Sequence, residues 1–221
     1  MIEKGSTSSR SAIGLLSISY LGPIQYFTKF LIYQRIIIER FDHYTKQTFR
    51  NRSIIYGANG SLTLSIPVIK GDEHKTYVKD VRIDYGKGWQ KLHWKGIESA
   101  YRSSPFYEFY IDILSDFYFK RYTFLFDFNM EILSRFLEFL EISVSPELSE
   151  EYLSPPPGDI VDLREIIHPK KSYKSDPSFS PVRYNQVFQE KHGFLPNLSI
   201  IDLICNEGPN AGQFLRKSIR K

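Results

Sequence analysis

The apolar positions along the chain fall into short runs of two different periods. Residues 12–19 (Ala-Ile-Gly-Leu-Leu-Ser-Ile-Ser) form an unbroken apolar run that reads as a buried strand. Gly22-Pro23 breaks the chain after it. Ile24, Phe27, Phe30 and Leu31 then recur at helical spacing, which predicts a helix starting near Pro23. The β-branched triplet Ile36-Ile37-Ile38 predicts a core strand over 35–41. Residues 53–56 and 61–68 are β-rich runs on either side of Gly57-Ala58-Asn59-Gly60, and an Asn-Gly pair there predicts a hairpin. Residues 78–83 predict one more short strand.

Three helices come next in the pattern. Over 89–102, Trp89, Leu92, His93, Gly96, Ile97 and Ala100 share one arc, with Lys91, Lys95, Glu98 and Arg102 opposite. Ser104-Pro105 reads as an N-cap with proline in the first turn, opening a helix that carries Phe106, Phe109, Tyr110, Ile113, Leu114 and Phe117. Asp127 reads as the cap of a third helix with Ile132, Leu133, Phe136, Leu137 and Leu140 as its stripe. From 143 to 182 proline recurs and the pattern breaks, leaving one strand over 160–166. Residues 184–192 predict a helix ending at Gly193, and 198–206 a short apolar helix closed by Gly208-Pro209. The chain therefore reads as mixed α/β (α+β): a small central sheet with a hairpin, packed by amphipathic helices, plus a loop-rich C-terminal segment. The expected organisation is a main domain over 1–142, a Pro/Ser-rich connection over 143–183 and a helical segment over 184–221 packing back on the main domain. Residues 1–11, polar and Ser-rich, are expected to fray.

Composition changes this picture in three ways. Seventeen Phe, 15 Tyr and 2 Trp supply the bulk of a sizeable core and exclude a disordered chain. The net charge of +4 is spread out, with no basic run that argues for nucleic acid, so a local phosphate or carboxylate is the better anionic partner. One cysteine, Cys205, excludes an internal disulfide framework and a cysteine metal site. No apolar run of about 18 residues or signal peptide is present, so the expected location is the cytoplasm, with no membrane span.

Candidate chemistry concentrates in two places. The segment Glu39, Asp42, His43, Tyr44, Lys46, Gln47, Arg50, Asn51 and Arg52 lies between a core strand and the hairpin, where the chain surfaces. Arg50 and Arg52 flank Asn51, and alternate residues of an extended segment point the same way. Both guanidiniums can then grip one phosphate or carboxylate. The competing explanation is a solvated loop with structural ion pairs. The second place is His93, with Asp84, Trp94, Lys95 and Tyr101. His93 is either a satisfied core histidine or an acid/base tuned by a carboxylate such as Asp84. Trp94 and Tyr101 either stack on a sugar or pack in the core. Further along, Asn197 or Ser199 reads as the cap of the next helix, and Cys205 as a buried, inert thiol. No Gly-rich nucleotide loop, Gly-x-Ser-x-Gly elbow or metal-spaced histidine set occurs, so no cofactor and no metal are expected.

Four blocks in order resemble one family. They are Tyr20-Leu-Gly-Pro-Ile-Gln-Tyr-Phe; Tyr44-x-Lys-Gln-Thr-Phe-Arg-Asn-Arg52 with Leu64-Ser-Ile-Pro-Val68; Trp89-x-x-x-His-Trp94 with Tyr101-Arg-x-Ser-Pro-Phe106; and Lys191-His-Gly-Phe-Leu-Pro-Asn-Leu-Ser-Ile-Ile-Asp-Leu203. Together they resemble the WbqC-like family over about 13–210. The resemblance implies a bacterial intracellular protein of O-antigen-type surface polysaccharide biosynthesis. The reaction it suggests is transfer of a small acyl or aminoacyl group such as glycine to an activated sugar. Many members open with a His-Gln-Pro-Asn-Tyr-like motif; here the matching stretch is Ser17-Ile-Ser-Tyr20, without His or Gln. Either other groups do the chemistry or this branch binds without reacting. On the enzymatic reading, Lys46, Arg50, Asn51 and Arg52 hold the anionic part of a sugar-nucleotide or other phosphate-bearing substrate. His93 acts as acid/base with Asp84 or Glu39 orienting it, and Trp94 or Tyr101 stacks on the sugar. The alternatives are a non-catalytic sugar-nucleotide- or partner-binding module, and an interaction protein that docks through 155–181. The pattern carries no oligomeric state.

Overall fold

The computed structural model describes residues 13–69 and 76–220; the polar leader at 1–11 lies outside them. The chain is a mixed α/β protein built on two sheets. Strand β1 (Ile13–Ser17) is followed by helix α1 (Ile24–Ile32) and strand β2 (Arg35–Glu39), a βαβ unit. β1 pairs in parallel with β2 from Ile13↔Arg35 to Ser17↔Glu39. Gly14 lets them approach: a Cβ there would stand 2.9 Å from Ile36 Cδ1 and 3.0 Å from the Tyr33 ring. Two short strands complete this sheet, β5 (Glu147–Leu148) beside β2 and β6 (Ile160–Asp162) beside β1, giving the all-parallel order β5-β2-β1-β6. Both come from the proline-rich stretch that composition reads as a connection. β5 is two residues long, below what any periodicity reveals, and β6 is shorter than the predicted 160–166.

The predicted hairpin forms its own sheet. β3 (Arg52–Gly57) and β4 (Gly60–Ser65) pair antiparallel, with Gly60 at φ 101° taking the turn position that a side chain would strain. Helix α2 (Trp89–Tyr101) buries Trp89, His93, Ile97, Ala100 and Tyr101. Helix α3 (Tyr107–Phe119) begins after Phe106, not at Ser104. The Ser104 hydroxyl instead donates to the Tyr101 carbonyl (2.6 Å), finishing α2 rather than opening α3. Helix α4 (Leu125–Phe139) likewise starts two residues before Asp127. That carboxylate lies in the first turn, where the helix dipole favours it without a capping bond.

Two predicted elements are replaced. Residues 78–83 are not a strand: Val78–Asp80 form a 3₁₀ turn, and only Arg82 and Ile83 make single bridges. Val78 and Val81 are buried three apart, a spacing that fits the tight turn as well as the partial alternation the sequence suggests. Residues 184–188 are not helical, and only Gln189–His192 form a helical turn, α5. Tyr184 and Gln186, two apart, both turn inward. The Tyr184 hydroxyl donates to Asp202 (2.5 Å) and Gln186 Nε2 to the same oxygen (2.9 Å), which holds this stretch extended. Asp202 sits in α6 (Ile200–Glu207), capped by Ser199, and a further helix α7 (Ala211–Lys217) comes after it. Gly208, at φ 52°, receives the Phe106 ring where a Cβ would lie 2.4 Å from it. Helices α6 and α7 pack against α1. A buried Lys29–Asp176 ion pair fastens the loop before residue 184 to α1, with Gln25 Nε2 also donating to Asp176 (2.8 Å).

Candidate functional site

The chain order of the parallel sheet creates a crevice. From β1 the chain runs out through α1 to β2, then β5 extends the same side; only then does it return to place β6 on the other flank of β1. The strand order thus reverses between β1 and β6, the kind of position at whose carboxyl ends open α/β sheets hold ligands. A cavity lies at this point. It is walled by residues 16–19 of β1 and its exit, Tyr26 of α1, residues 48–50, and residues 163–168 after β6. Its volume is about 10 Å³, room for one water-sized group.

The lining is polar in an unusual way. Among the described residues, eight buried side-chain polar atoms have no hydrogen-bond partner, and three of them line this cavity: Ser19 Oγ, Tyr26 OH and Arg50 Nε. Buried polar groups are nearly always satisfied, so three orphans around one cavity point to a partner held inside it, a water or a ligand oxygen. Ser19 and the Tyr26 ring are neighbours across Gly22, where a Cβ would lie 3.0 Å from Ser19 Oγ and 3.1 Å from Tyr26 Cδ1. Burial pushes the Tyr26 phenol well above its usual range, so it is a neutral donor.

Arg50 is the charge of the site. Its side chain is 5% exposed, and Nη2 donates to Ser17 Oγ (2.9 Å) and to the Asp42 carboxylate. Those bonds hold the guanidinium while Nε stays free. His168 on the opposite wall accepts from the Lys170 amide at Nδ1 (3.1 Å). The neutral ring therefore carries its proton on Nε2 and acts as a donor. Burial lowers its pKa, opposed by Glu165 and aided by Lys171, Lys170 and Arg50. The first amides of α1 are already taken, Ile24 by the Leu198 carbonyl (2.9 Å) and Gln25 by Asn197 Oδ1 (2.9 Å). An anion here relies on side chains rather than on the helix end.

The residues singled out from sequence divide into three groups. Arg50 lines the cavity. Arg52 and Tyr44 stand beside it: burial raises the Tyr44 phenol while the Arg52 and Arg50 guanidiniums act against that, and Arg52 Nε has no partner. Lys46 is exposed, and Asn51 Nδ2 donates to the Ile66 carbonyl (2.9 Å).

The remaining predicted residues lie elsewhere. His93 is buried, with Nδ1 2.9 Å from the Tyr20 hydroxyl, which is 2.7 Å from Tyr118 OH; burial brings its pKa down to about 4. Neither Asp84 nor Glu39 bonds to it. Asp84 accepts from the Gly86 amide (2.8 Å) in the turn before α2. Glu39 is buried under Ser149 Oγ (2.8 Å), the Phe41 and Leu153 amides and Arg164, closing the end of β2. The expected grouping of His93 with either carboxylate is thus replaced by a Tyr20–His93–Tyr118 cluster, because its helix face packs inward. Trp94 packs on Tyr118 and Phe119, and Tyr101 is fully buried with its hydroxyl accepting from the Tyr56 amide (3.2 Å). Cys205 is buried, which pushes its thiol pKa up. Sequence reasoning missed Ser17, Ser19, Tyr26, Thr48, Arg164 and His168 as lining one cavity. Serine and threonine carry no pattern of their own, and 163–168 join β1 only through the return of β6.

A model of the WbqC-like protein family matches residues 19–161, which include three of the cavity's four walls in whole or in part. The uncharacterized protein Rv1507c of Mycobacterium tuberculosis is similar, 27% identical over 220 residues that cover 89% of this chain and 91% of that one. No solved structure matches the chain. No helix among the described residues is long and apolar enough to cross a membrane.

Proposed function

The chain belongs to the WbqC-like protein family, and on that premise we propose that it binds the phosphate or carboxylate of a small activated sugar in the crevice between β1 and β6, as a cytoplasmic step of O-antigen-type surface polysaccharide assembly. One observation carries the reading: Ser19 Oγ, Tyr26 OH and Arg50 Nε converge unpartnered on that cavity. An oxyanion supplies acceptors for all three donors and meets the free Nε edge of the Arg50 guanidinium, whose Nη2 Asp42 holds. The His168 Nε2–H adds a fourth donor. At about 10 Å³ the cavity takes one oxygen of such a group, and in this reading the rest of the ligand lies toward Arg52 and Tyr44. The reaction in this reading moves a small acyl or aminoacyl group onto the held sugar.

A second reading, a non-catalytic module that binds the same ligand, is favoured by one feature. His168, the histidine at the cavity, has its Nδ1 lone pair engaged, and His93 is buried on Tyr20. A thermal-shift panel of nucleotide-sugars, nucleoside phosphates, pyrophosphate and amino acids tests the shared claim. The expected result is a stabilising ligand whose effect disappears when Ser19 and Tyr26 lose their hydroxyls. Turnover of that ligand with a donor then separates enzyme from module. A panel with no stabilising anion refutes both readings.

A further inference from the structure

Away from the cavity, α2 and α3 both expose apolar and charged side chains to solvent. The three most exposed large hydrophobic residues among those described all lie on these two helices: Phe119 (77%), Phe109 (74%) and Leu92 (64%). Large apolar side chains this open, gathered on one helical pair, mark an interaction surface. The helices pack side by side, with Trp94 of α2 against Tyr118 (5.7 Å) and Phe119 (6.2 Å) of α3.

The charges on this face are sorted by helix. α2 and its exit expose Lys91, Lys95 and Arg102 beside one half-buried acid, Glu98; α3 exposes Glu108, Asp112 and Asp116, four residues apart and so on one side. Among the described residues none of these seven makes an ion pair within the chain. A basic helix beside an acidic one is complementary to itself under a two-fold rotation, which lays α2 of each copy along α3 of the other. A shallow hollow of about 530 Å³ on α2 is lined by Lys95, Glu98, Ser99, Arg102 and Ser103.

We propose that this face is a self-association surface: two copies pair isologously through α2 and α3, with Phe109 of each copy seated on α2 of the other and the lysines opposite the aspartates. Two 13-residue helices side by side cover roughly 400 Å² per copy, so the pair buries about 800 Å² in all, at the weak, reversible end of specific interfaces. The dimer therefore forms at micromolar concentrations and above, and more readily in low salt, because the paired charges are exposed.

Sedimentation velocity on the full chain, from 5 to about 500 μM in ~20 mM and ~300 mM salt, reads this directly. The expected result is a monomer–dimer equilibrium that weakens at the higher salt. A wild-type chain that stays monomeric over the whole range overturns the proposal. Two charge-reversed variants then locate the face. Lys91→Glu with Lys95→Glu makes both helices acidic, and Asp112→Lys with Asp116→Lys makes both basic, so each variant associates at least ~10-fold more weakly with itself. Mixed together, the two variants restore the complementary pairing and form a heterodimer. Dimerisation of either variant at wild-type strength, or no recovery on mixing when both melt like wild type, places the contact elsewhere and overturns the assignment.

Discussion

Removing a buried hydroxyl ordinarily costs a protein stability, but at Ser19 and Tyr26 it should do the reverse. Both oxygens are buried without a partner, and an unsatisfied buried polar group costs about 1–3 kcal/mol. Ser19→Ala and Tyr26→Phe each delete one oxygen from the wall and leave the backbone unchanged. Taking the low end, about 1 kcal/mol each, the ligand-free double variant gains roughly 2 kcal/mol. A chain of this length moves about 2–4 °C per kcal/mol, so Tm rises by about 4–8 °C. Binding changes in the opposite sense. A hydrogen bond to a charged group contributes about 1.5–3 kcal/mol, so each lost donor weakens an anionic ligand about 10-fold or more, and the pair about 100-fold. Ligand at ~100 times its Kd stabilises the wild type by about 2.7 kcal/mol; the same concentration stabilises the variant by only about 0.4 kcal/mol. Scanning calorimetry with and without the ligand reads both effects. A ligand-free variant that melts below wild type shows that the hydroxyls serve the fold. A ligand shift that survives intact shows that the anion binds elsewhere. Either result refutes the cavity assignment.

Three further outcomes come from buried titratable groups. Burial raises the Asp202 carboxyl to about 6 and lowers the His93 imidazole to about 4. The Asp202 contribution is therefore present in acid and lost as pH rises through 6, whereas the His93 contribution is present at neutral pH and lost as pH falls from about 6.5 toward 4, each on the order of 3 kcal/mol. The two nearly cancel between pH 4 and 6.5, so Asp202→Asn should lose about 3 kcal/mol more than wild type over that interval in urea melts, and equal acid slopes would contradict the assignment. The His93 ring should keep one unchanging NMR signature from pH 5.5 to 8, and a titration near 6.5 would show it solvated rather than packed on Tyr20. Lys29→Met leaves the Asp176 carboxylate buried without its countercharge and should cost about 3–5 kcal/mol, with Lys29→Met/Asp176→Leu recovering most of it; a single-variant loss under ~1 kcal/mol would show that the pair does not hold the loop.

How far the fold is legible in the sequence depends on the range of the interactions involved. Ile36-Ile37-Ile38, the Asn59-Gly60 turn and the arc from Trp89 to Ala100 are local patterns, and each became the element it predicts. The errors arise where a distant group decides. Residues 184–188 follow a helical period in part, yet Asp202 draws Tyr184 and Gln186 to one oxygen and holds them extended. Ser104 and Pro105 have the composition of a helix start, yet the hydroxyl turns back to α2. The arginine pair was visible as cations between two strands. The sequence did not reveal that Arg50 turns to Ser17 and Asp42 while Arg52 stands by Tyr44, because neither bond has a spacing that announces it.

The cavity owes its space and its unpaired donors to the same few residues at the end of β1. At the carboxyl end of β1 the chain carries Ser17-Ile18-Ser19, where both polar side chains are small hydroxyls. Small hydroxyls there leave space between β1 and the segment after β6, and at Gly22 a Cβ would press on both Ser19 and Tyr26. The polar groups that remain, Ser19 and Tyr26 on one side and Arg50 on the other, leave one another unsatisfied and are too buried to be satisfied by bulk water. A core position left in that state loses stability, and a few kcal/mol is a large fraction of the total for a domain. Such a lining is tolerated where a ligand completes it, which is why the orphaned donors mark the site in this chain.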